Sequence, residues 1–452
     1  MLLSSLPSAS LGCTRDSASK LGLCSRLLAA FLIPHSSFLI FFAFLSCGED
    51  RTYEYVEATQ TDHWMETAMR EHYLWGDSLE DLDWDDYFDD PADFFAALTA
   101  QAPIDDDWSW CLVDTAPTDP RAKGTFDHLD SYGLDIVTLT DPTGSTSRQY
   151  ARILTVYPNS PAEEAGITRG QFIGLIDDTK ISSSNISKLY NGDARTLAVC
   201  TLDTDSTGEA YIWSRTDTLT LEASRYVEDL PFPTLTAFPD YDAAYLLCSR
   251  LTTGPTEADS TDTSYISTLQ SCIEQLRDTR ASYLILDLRL CNDGTLDMAQ
   301  LLASYLYPDA TDNTIFAQTI HRSDKAADDE TLYFRTDVTP LPLSHLFVIT
   351  SDYTHGAAEW VIRAIQAADP SFISLYGTTT GGECVATGRV DSDYYVTLHP
   401  AICYVADADG TYDYDEGIEP DYEIDEFEFV YLRPYGSATE TLVATILQDL
   451  LP

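Results

Sequence analysis

Basic residues are scarce in this chain: 25 Lys and Arg stand against 74 Asp and Glu in 452 residues, a formal charge of -49. So acidic a body repels a phosphate backbone at ordinary salt, which excludes nucleic acid as a partner, and it is ill suited to passive adsorption on anionic membranes. Cysteine spacing is equally uninformative for metal. The ten cysteines, Cys13, Cys24, Cys47, Cys111, Cys200, Cys248, Cys272, Cys291, Cys384 and Cys403, form no C-x-x-C pair and no cluster with histidine pairs, which argues against zinc. They are too scattered for a disulfide framework and read as small buried apolar residues. Nothing calls for a cofactor. Core material is not lacking: 44% hydrophobic and 12% aromatic residues exclude a disordered or fibrous chain. At about 100 to 200 residues per domain, the length allows two to four folding units.

Residues 27–46, after Arg26, carry no Asp, Glu, Lys or Arg and end Phe44-Leu45-Ser46-Cys47. This resembles a bacterial lipoprotein signal, in which an apolar stretch leads to a small residue and then to the cysteine that is lipidated after cleavage. The competing reading is a transmembrane helix, since about 20 apolar residues span a bilayer. The switch to Gly48-Glu49-Asp50 favours processing, with Cys47 becoming the lipidated first residue of an extracytoplasmic protein anchored to a bacterial membrane, periplasmic or at the cell surface.

The remainder divides by pattern. Residues 47–60 read as a polar linker. In 61–128, Trp64, Met65, Ala68, Met69 and His72 form a helical stripe, and Asp90-Pro91 caps a second helix carrying Phe94, Phe95 and Leu98. This is a helical N-terminal cap domain. Residues 77–90 between them read as a solvated acidic loop. From 129 to 225 short alternating strands take over, among them 134–139, 151–156 and 171–176, with Ser160-Pro161-Ala162-Glu163 opening a short helix that Gly166 ends. In 226–452 strands and helices alternate, which implies a mainly parallel sheet covered by helices, with any site beyond the C-terminal strand ends. That rule points to loops 289–295 and 351–356. The whole is an α+β multidomain chain.

Two resemblances give these segments meaning. The run from Asn159 through Ser160-Pro161-Ala162-Glu163 to Gly170-Gln171-Phe172-Ile173 resembles the helix and strand of a PDZ domain. The resemblance implies a peptide loop at Tyr132, Gly133, Leu134, Asp135 and Ile136, whose amides would hold a terminal carboxylate while a sheet edge takes the extended peptide. The alternative is a module that only packs against its neighbours. In the third segment, Leu286-Asp287-Leu288-Arg289, the turn Thr354-His355-Gly356-Ala357-Ala358-Glu359, Gly377-Thr378-Thr379-Thr380-Gly381-Gly382-Glu383 and Gly417-Ile418-Glu419-Pro420-Asp421 resemble the tail-specific, or C-terminal processing, serine peptidases. With the cap and the PDZ-like module the resemblance covers nearly all of residues 61–450 and implies an α/β peptidase domain of the ClpP/crotonase type.

At three places the residues depart from what that resemblance implies. The family's nucleophilic serine falls on Gly356, its lysine base on Glu383, and its oxyanion turn on Cys291, Asp293 and Gly294, where an Asp carboxylate is expected to raise the energy of a developing oxyanion. Removing a nucleophile costs a serine protease about six orders of magnitude in turnover. The expectation is therefore a binder of peptides or protein C-termini that has lost hydrolysis. The alternative is an endopeptidase of serine or cysteine type with relocated residues, for which Ser351, Thr354, Cys291 and a Cys384–His355 pair are the candidates. A carbohydrate-contacting surface is suggested only by abundant Tyr and Trp, which packed rings explain as well. Finally, Asp407-Ala408-Asp409-Gly410, followed by Asp413, Asp415 and Glu416, fails the EF-hand spacing and reads as an acidic hairpin turn.

Overall fold

The computed structural model describes residues 52–84, 90–104, 106–113, 130–204, 206, 211–255, 261–394, 396–428 and 431–451. Cys47 and the leader lie outside them. Among the described residues, no helix is long and apolar enough to cross a membrane.

The first helix, Thr52–His72, corrects the linker reading, because residues 52–60 are helical. No Gly or Pro interrupts the segment, and the buried Thr59 hydroxyl donates to the Tyr55 carbonyl at 2.9 Å. Met65 and Met69 on the expected stripe are fully buried. The second helix, Pro91–Thr99, begins as expected, with the Asp90 carboxylate accepting the Asp93 amide. The next strand, Trp110–Val113, pairs antiparallel with Val396–His399, nearly 300 residues on, and sets Trp110 opposite His399.

A separate antiparallel sheet follows, in the order Leu134–Thr140, Gln149–Val156, Phe172–Ile176, Arg195–Thr204, Tyr211–Leu221. It has its own core, built on Leu134, Ile153, Ile173, Leu197 and Leu221. Ser160 caps the short helix Pro161–Glu164 by accepting the Glu163 amide at 3.1 Å. This sheet docks on the C-terminal segment through buried Arg169, which donates to the Arg433 carbonyl at 2.7 Å and pairs with Glu426 at 2.6 Å.

The central sheet runs Thr234–Phe238, Ala243–Leu247, Tyr283–Asp287, His345–Thr350, Ile373–Gly377, Tyr422–Glu423. Its first pair is antiparallel and the remaining four are parallel. Alternation along the strands sends side chains to two cores. Ala244, Leu246, Leu284, Leu286, Leu346 and Val348 pack with helices Ser264–Thr279, Leu296–Leu306 and Ala357–Ala368. Their neighbours Tyr245, Leu247, Ile285, Phe347 and Ile349 pack with helix Thr441–Asp449. Burial on both faces explains why these strands read as continuous apolar runs, each large side chain contributing about 1.5–3 kcal/mol. Three adjacent parallel strands then deliver their C-terminal ends, and the loops 289–295, 351–356 and 378–383, to one place.

Candidate functional site

The three loops are locked before any chemistry is considered. Arg289, buried at the start of the first loop, pairs with Asp287 at 2.6 Å, Glu426 at 2.5 Å and Glu440 at 3.0 Å. The three carboxylates hold its guanidinium well above the usual arginine range against the opposing effect of burial. In the second loop Thr354 Oγ1 donates to the Leu288 carbonyl at 2.9 Å, Ser351 Oγ donates to the Arg289 carbonyl at 2.8 Å, and the His355 amide donates to the Cys291 carbonyl at 3.0 Å. The Gly381 amide donates to the Thr354 carbonyl at 2.9 Å, which ties in the third loop.

The second and third loops meet at Gly356. This residue caps helix Ala357–Ala368 with φ +51° and ψ -110°, backbone that an L side chain rarely adopts. A strand, a sharp positive-φ turn and a helix form the arrangement by which hydrolases present a nucleophile. Here the apex carries no side chain. A Cβ built on Gly356 would lie 3.0 Å from Glu383 Oε2, so the Glu383 carboxylate rests against the apex.

Beneath that junction sits Glu359, completely buried one turn into the helix. Its carboxylate accepts the amides of Gly356 at 2.9 Å, Gly382 at 2.7 Å and Glu383 at 2.7 Å, together with the Thr380 hydroxyl. Burial pushes its carboxyl up to about 7, although all four hydrogen bonds pull the other way. Glu359 is thus a positioning group that welds the two loops. Across the junction, a Cβ on Gly294 would stand 2.5 Å from that of Ala357 and 2.7 Å from that of Leu251, so only glycine lets the first loop approach.

The loops form the floor of a cleft of about 610 Å³ whose lining includes Asn292, Asp293, Gly294, His355, Gly356 and Glu383. One wall comes from the distant pair Trp110 and His399, whose rings stack 3.7 Å apart at 4°.

Comparison with known proteins is direct at this point. Residues 258–424 match Peptidase family S41, and residues 60–110 match the Peptidase S41 N-terminal domain. These two segments are peptidase S41 family domains. No curated protein sequence matches the chain. Among solved structures it is similar to a protein of Bacteroides fragilis NCTC 9343 provisionally named an S41 protease, with TM-score 0.76 and 28% identity over 86% of this chain and 96% of that one. The photosystem II D1 C-terminal processing protease aligns at 18% identity and TM-score 0.45, covering 81% and 93% of the two chains. Mature CPAF complexed with lactacystin aligns at 11% and 0.46, covering 87% and 97%.

The structure brings together Gly356, Glu383, Asp293, Gly294 and His355, all singled out in the sequence, around one cleft. It corrects the expectation for Asp293. That carboxylate pairs with Arg250 at 2.9 Å, so a cation 43 residues away offsets the negative charge at this turn. The replacement nucleophiles fare poorly as well. The Ser351 and Thr354 hydroxyls are donors to backbone carbonyls. Cys291 is fully buried, and Cys384, 1% exposed, has its thiol pushed up to about 12, chiefly by burial. The His355 ring packs on Gly381.

The loop expected to hold a peptide carboxylate also differs from expectation. Tyr132, Gly133 and Leu134 are buried; the Tyr132 amide donates to the Tyr190 carbonyl at 3.1 Å and the Gly133 amide to Ser131 Oγ at 2.9 Å. Asp135 accepts the Tyr157 hydroxyl at 2.9 Å, and desolvation pushes its carboxyl up. Two of the required donors are spent inside the module, and Ile136 belongs to the edge strand Leu134–Thr140. The acidic turn at 407–410 is explained by Asp407: its Oδ1 accepts the amides of Asp409 and Thr411 at 3.0 Å each, and Arg363 pairs with the other oxygen. Sequence reasoning missed Trp110, His399, Arg250 and the welding role of Glu359. Only Glu359 left a local signal, as an acid three residues after a helix cap.

Proposed function

We propose that this chain is a peptide-binding, non-hydrolytic member of the S41 family, working outside the cytoplasm as a lipoprotein acylated at Cys47. One observation carries the reading: at the apex of the turn where a peptidase presents its nucleophile, Gly356 has no side chain and its backbone meets the Glu383 carboxylate. A glycine has nothing to add to a carbonyl, and a carboxylate there opposes negative charge developing on an oxyanion. The cleft of about 610 Å³, walled in part by Trp110 and His399, is large enough to support a grip on polypeptide. The separate sheet is read as a PDZ-like module whose edge strand Leu134–Thr140 can accept an extended chain by strand addition, with its carboxylate loop closed.

The test uses the processed protein and a fluorescently labelled unfolded polypeptide. Anisotropy should rise saturably while the polypeptide stays full length. An absence of binding, or cleavage during the titration, overturns the proposal. The anchor is tested separately by metabolic labelling with a fatty-acid analogue in a bacterial host, which should mark the parent and not Cys47→Ala.

A further inference from the structure

Two cysteines meet where the first site loop leaves the central sheet. Strands Ala243–Leu247 and Tyr283–Asp287 pair in parallel, and past their ends the two chains stay side by side. The Leu251 amide donates to the Asp293 carbonyl at 2.8 Å, the Thr295 amide donates to the Leu251 carbonyl at 2.9 Å, and Leu251 bridges Gly294 in parallel. Arg250 and Asp293, paired at 2.9 Å, stand 43 residues apart, and the same step relates Cys248 to Cys291. Cys248 Sγ donates to Cys291 Sγ at 3.9 Å, and both residues are fully buried. Their backbones are fixed, the Cys248 amide donating to the Asp287 carbonyl at 2.9 Å and the Cys291 amide to the Leu288 carbonyl at 3.0 Å. Adjacent strands lie about 4.8 Å apart, within the roughly 4.4–6.8 Å that separates the Cα atoms of a disulfide. Since an S–S bond is about 2 Å long, each sulfur has about 1 Å to travel, the reach of a χ1 rotation of about 30°.

We infer that Cys248 and Cys291 are a disulfide site, a covalent staple between the end of strand Ala243–Leu247 and the first loop of the cleft, closed by a disulfide oxidant as the chain folds. One cysteine thiolate attacks a sulfur of the oxidant R–S–S–R, forming a mixed disulfide and releasing one thiolate of the oxidant. The second cysteine thiolate then attacks the cysteine sulfur of that mixed disulfide and expels the other. The protein gives up two protons and two electrons, and the oxidant leaves as two molecules of RSH. The exchange belongs to folding, because in the finished fold burial shields both sulfurs and pushes the Cys248 thiol well above its usual range. Compartments outside the cytoplasm supply such oxidants. The inference draws on the proposed location for that supply alone, and peptide binding does not enter it.

Refolding the processed chain from guanidinium in oxidised glutathione, and separately in reductant, tests the site whatever the protein's location. Trypsin digestion without reduction should yield residues 226–250 joined to residues 290–322, peptides with one cysteine each, at a mass two hydrogens below their sum. The link should be absent after refolding in reductant and absent from Cys248→Ala. The cross-linked parent should melt several degrees above the reduced parent, because the bond restricts the unfolded chain across 43 residues, while Cys248→Ala should melt alike under both conditions. A chain that regains its cooperative melt in oxidised glutathione with Cys248 and Cys291 still open to alkylation overturns the inference. So does a link from either cysteine to a different one, or a link confined to chains that lack a cooperative melt. A link formed in oxidised glutathione but missing from the chain recovered from a bacterial periplasm supports the site and counts against the proposed location instead.

Discussion

Gly356→Ala is the perturbation whose sign the structure fixes most firmly. At a site with compatible backbone, Gly→Ala stabilises by about 0.4–1 kcal/mol through the unfolded chain. Here two effects oppose that gain. The backbone at φ +51°, ψ -110° is a region where a residue with a Cβ is strained by about 1–3 kcal/mol. The new methyl would also press on Glu383, 3.0 Å from Oε2 and 3.1 Å from Cδ, with that residue's backbone tied down by Glu359. The expected net loss is about 1–3 kcal/mol, a fall of a few degrees in unfolding temperature. Thermal unfolding followed by tryptophan fluorescence reads it directly. Adding Glu383→Ala should recover the steric share but not the backbone share, a coupling of about 0.5–1 kcal/mol in a double-mutant cycle. A Gly356→Ala protein as stable as its parent, or more so, would refute the strained-apex geometry and the contact with Glu383.

Other outcomes follow from the same geometry. Arg289→Ala strands the carboxylates of Asp287, Glu426 and Glu440 without their shared cation and should destabilise by about 3–5 kcal/mol in urea unfolding, whereas breaking an exposed pair such as Arg335–Asp337 should change stability far less. Glu359 is raised from 4.5 to about 7 in the folded state, so between those values the native chain holds a proton that the unfolded chain releases. Its contribution to stability therefore falls as pH rises through about 4.5 to 7, and the parent should lose stability relative to Glu359→Gln over that window when both are melted across the range. Burial pushes the thiols of Cys384 and Cys403 up to about 12 and that of Cys272 upward, so an aromatic disulfide reagent should leave these three unmodified in the folded protein and modify them after guanidinium unfolding, as read by peptide mass.

Much of the architecture was legible because it is written locally. Ser160 with Glu163, and Asp90 with Pro91, announce helix starts within four residues, and the apolar runs at 243–247, 283–287 and 345–350 announce strands buried on both faces. The topology rule then pointed to loops 289–295 and 351–356, which contribute to the lining of the candidate cleft, without any side-chain geometry. What stayed hidden is what pairs across long separations. The Arg250–Asp293 ion pair and the Trp110–His399 stack join segments 43 and 289 residues apart, and no periodicity encodes such meetings. The closure of the Tyr132–Gly133 loop was hidden for another reason, since it depends on where backbone amides point. The helical start at Thr52 was missed because a polar sequence was equated with an irregular one; a breaker-free run continues a helix whether or not it is apolar.

The account is tested most directly by incubating the processed chain with unfolded casein for many hours and sequencing every new amino terminus by mass spectrometry, with and without serine- and thiol-directed covalent inhibitors. It predicts intact casein, no inhibitor-sensitive termini and no modified residue in the cleft. New termini that disappear when an inhibitor becomes attached to one identified side chain of this protein would contradict it.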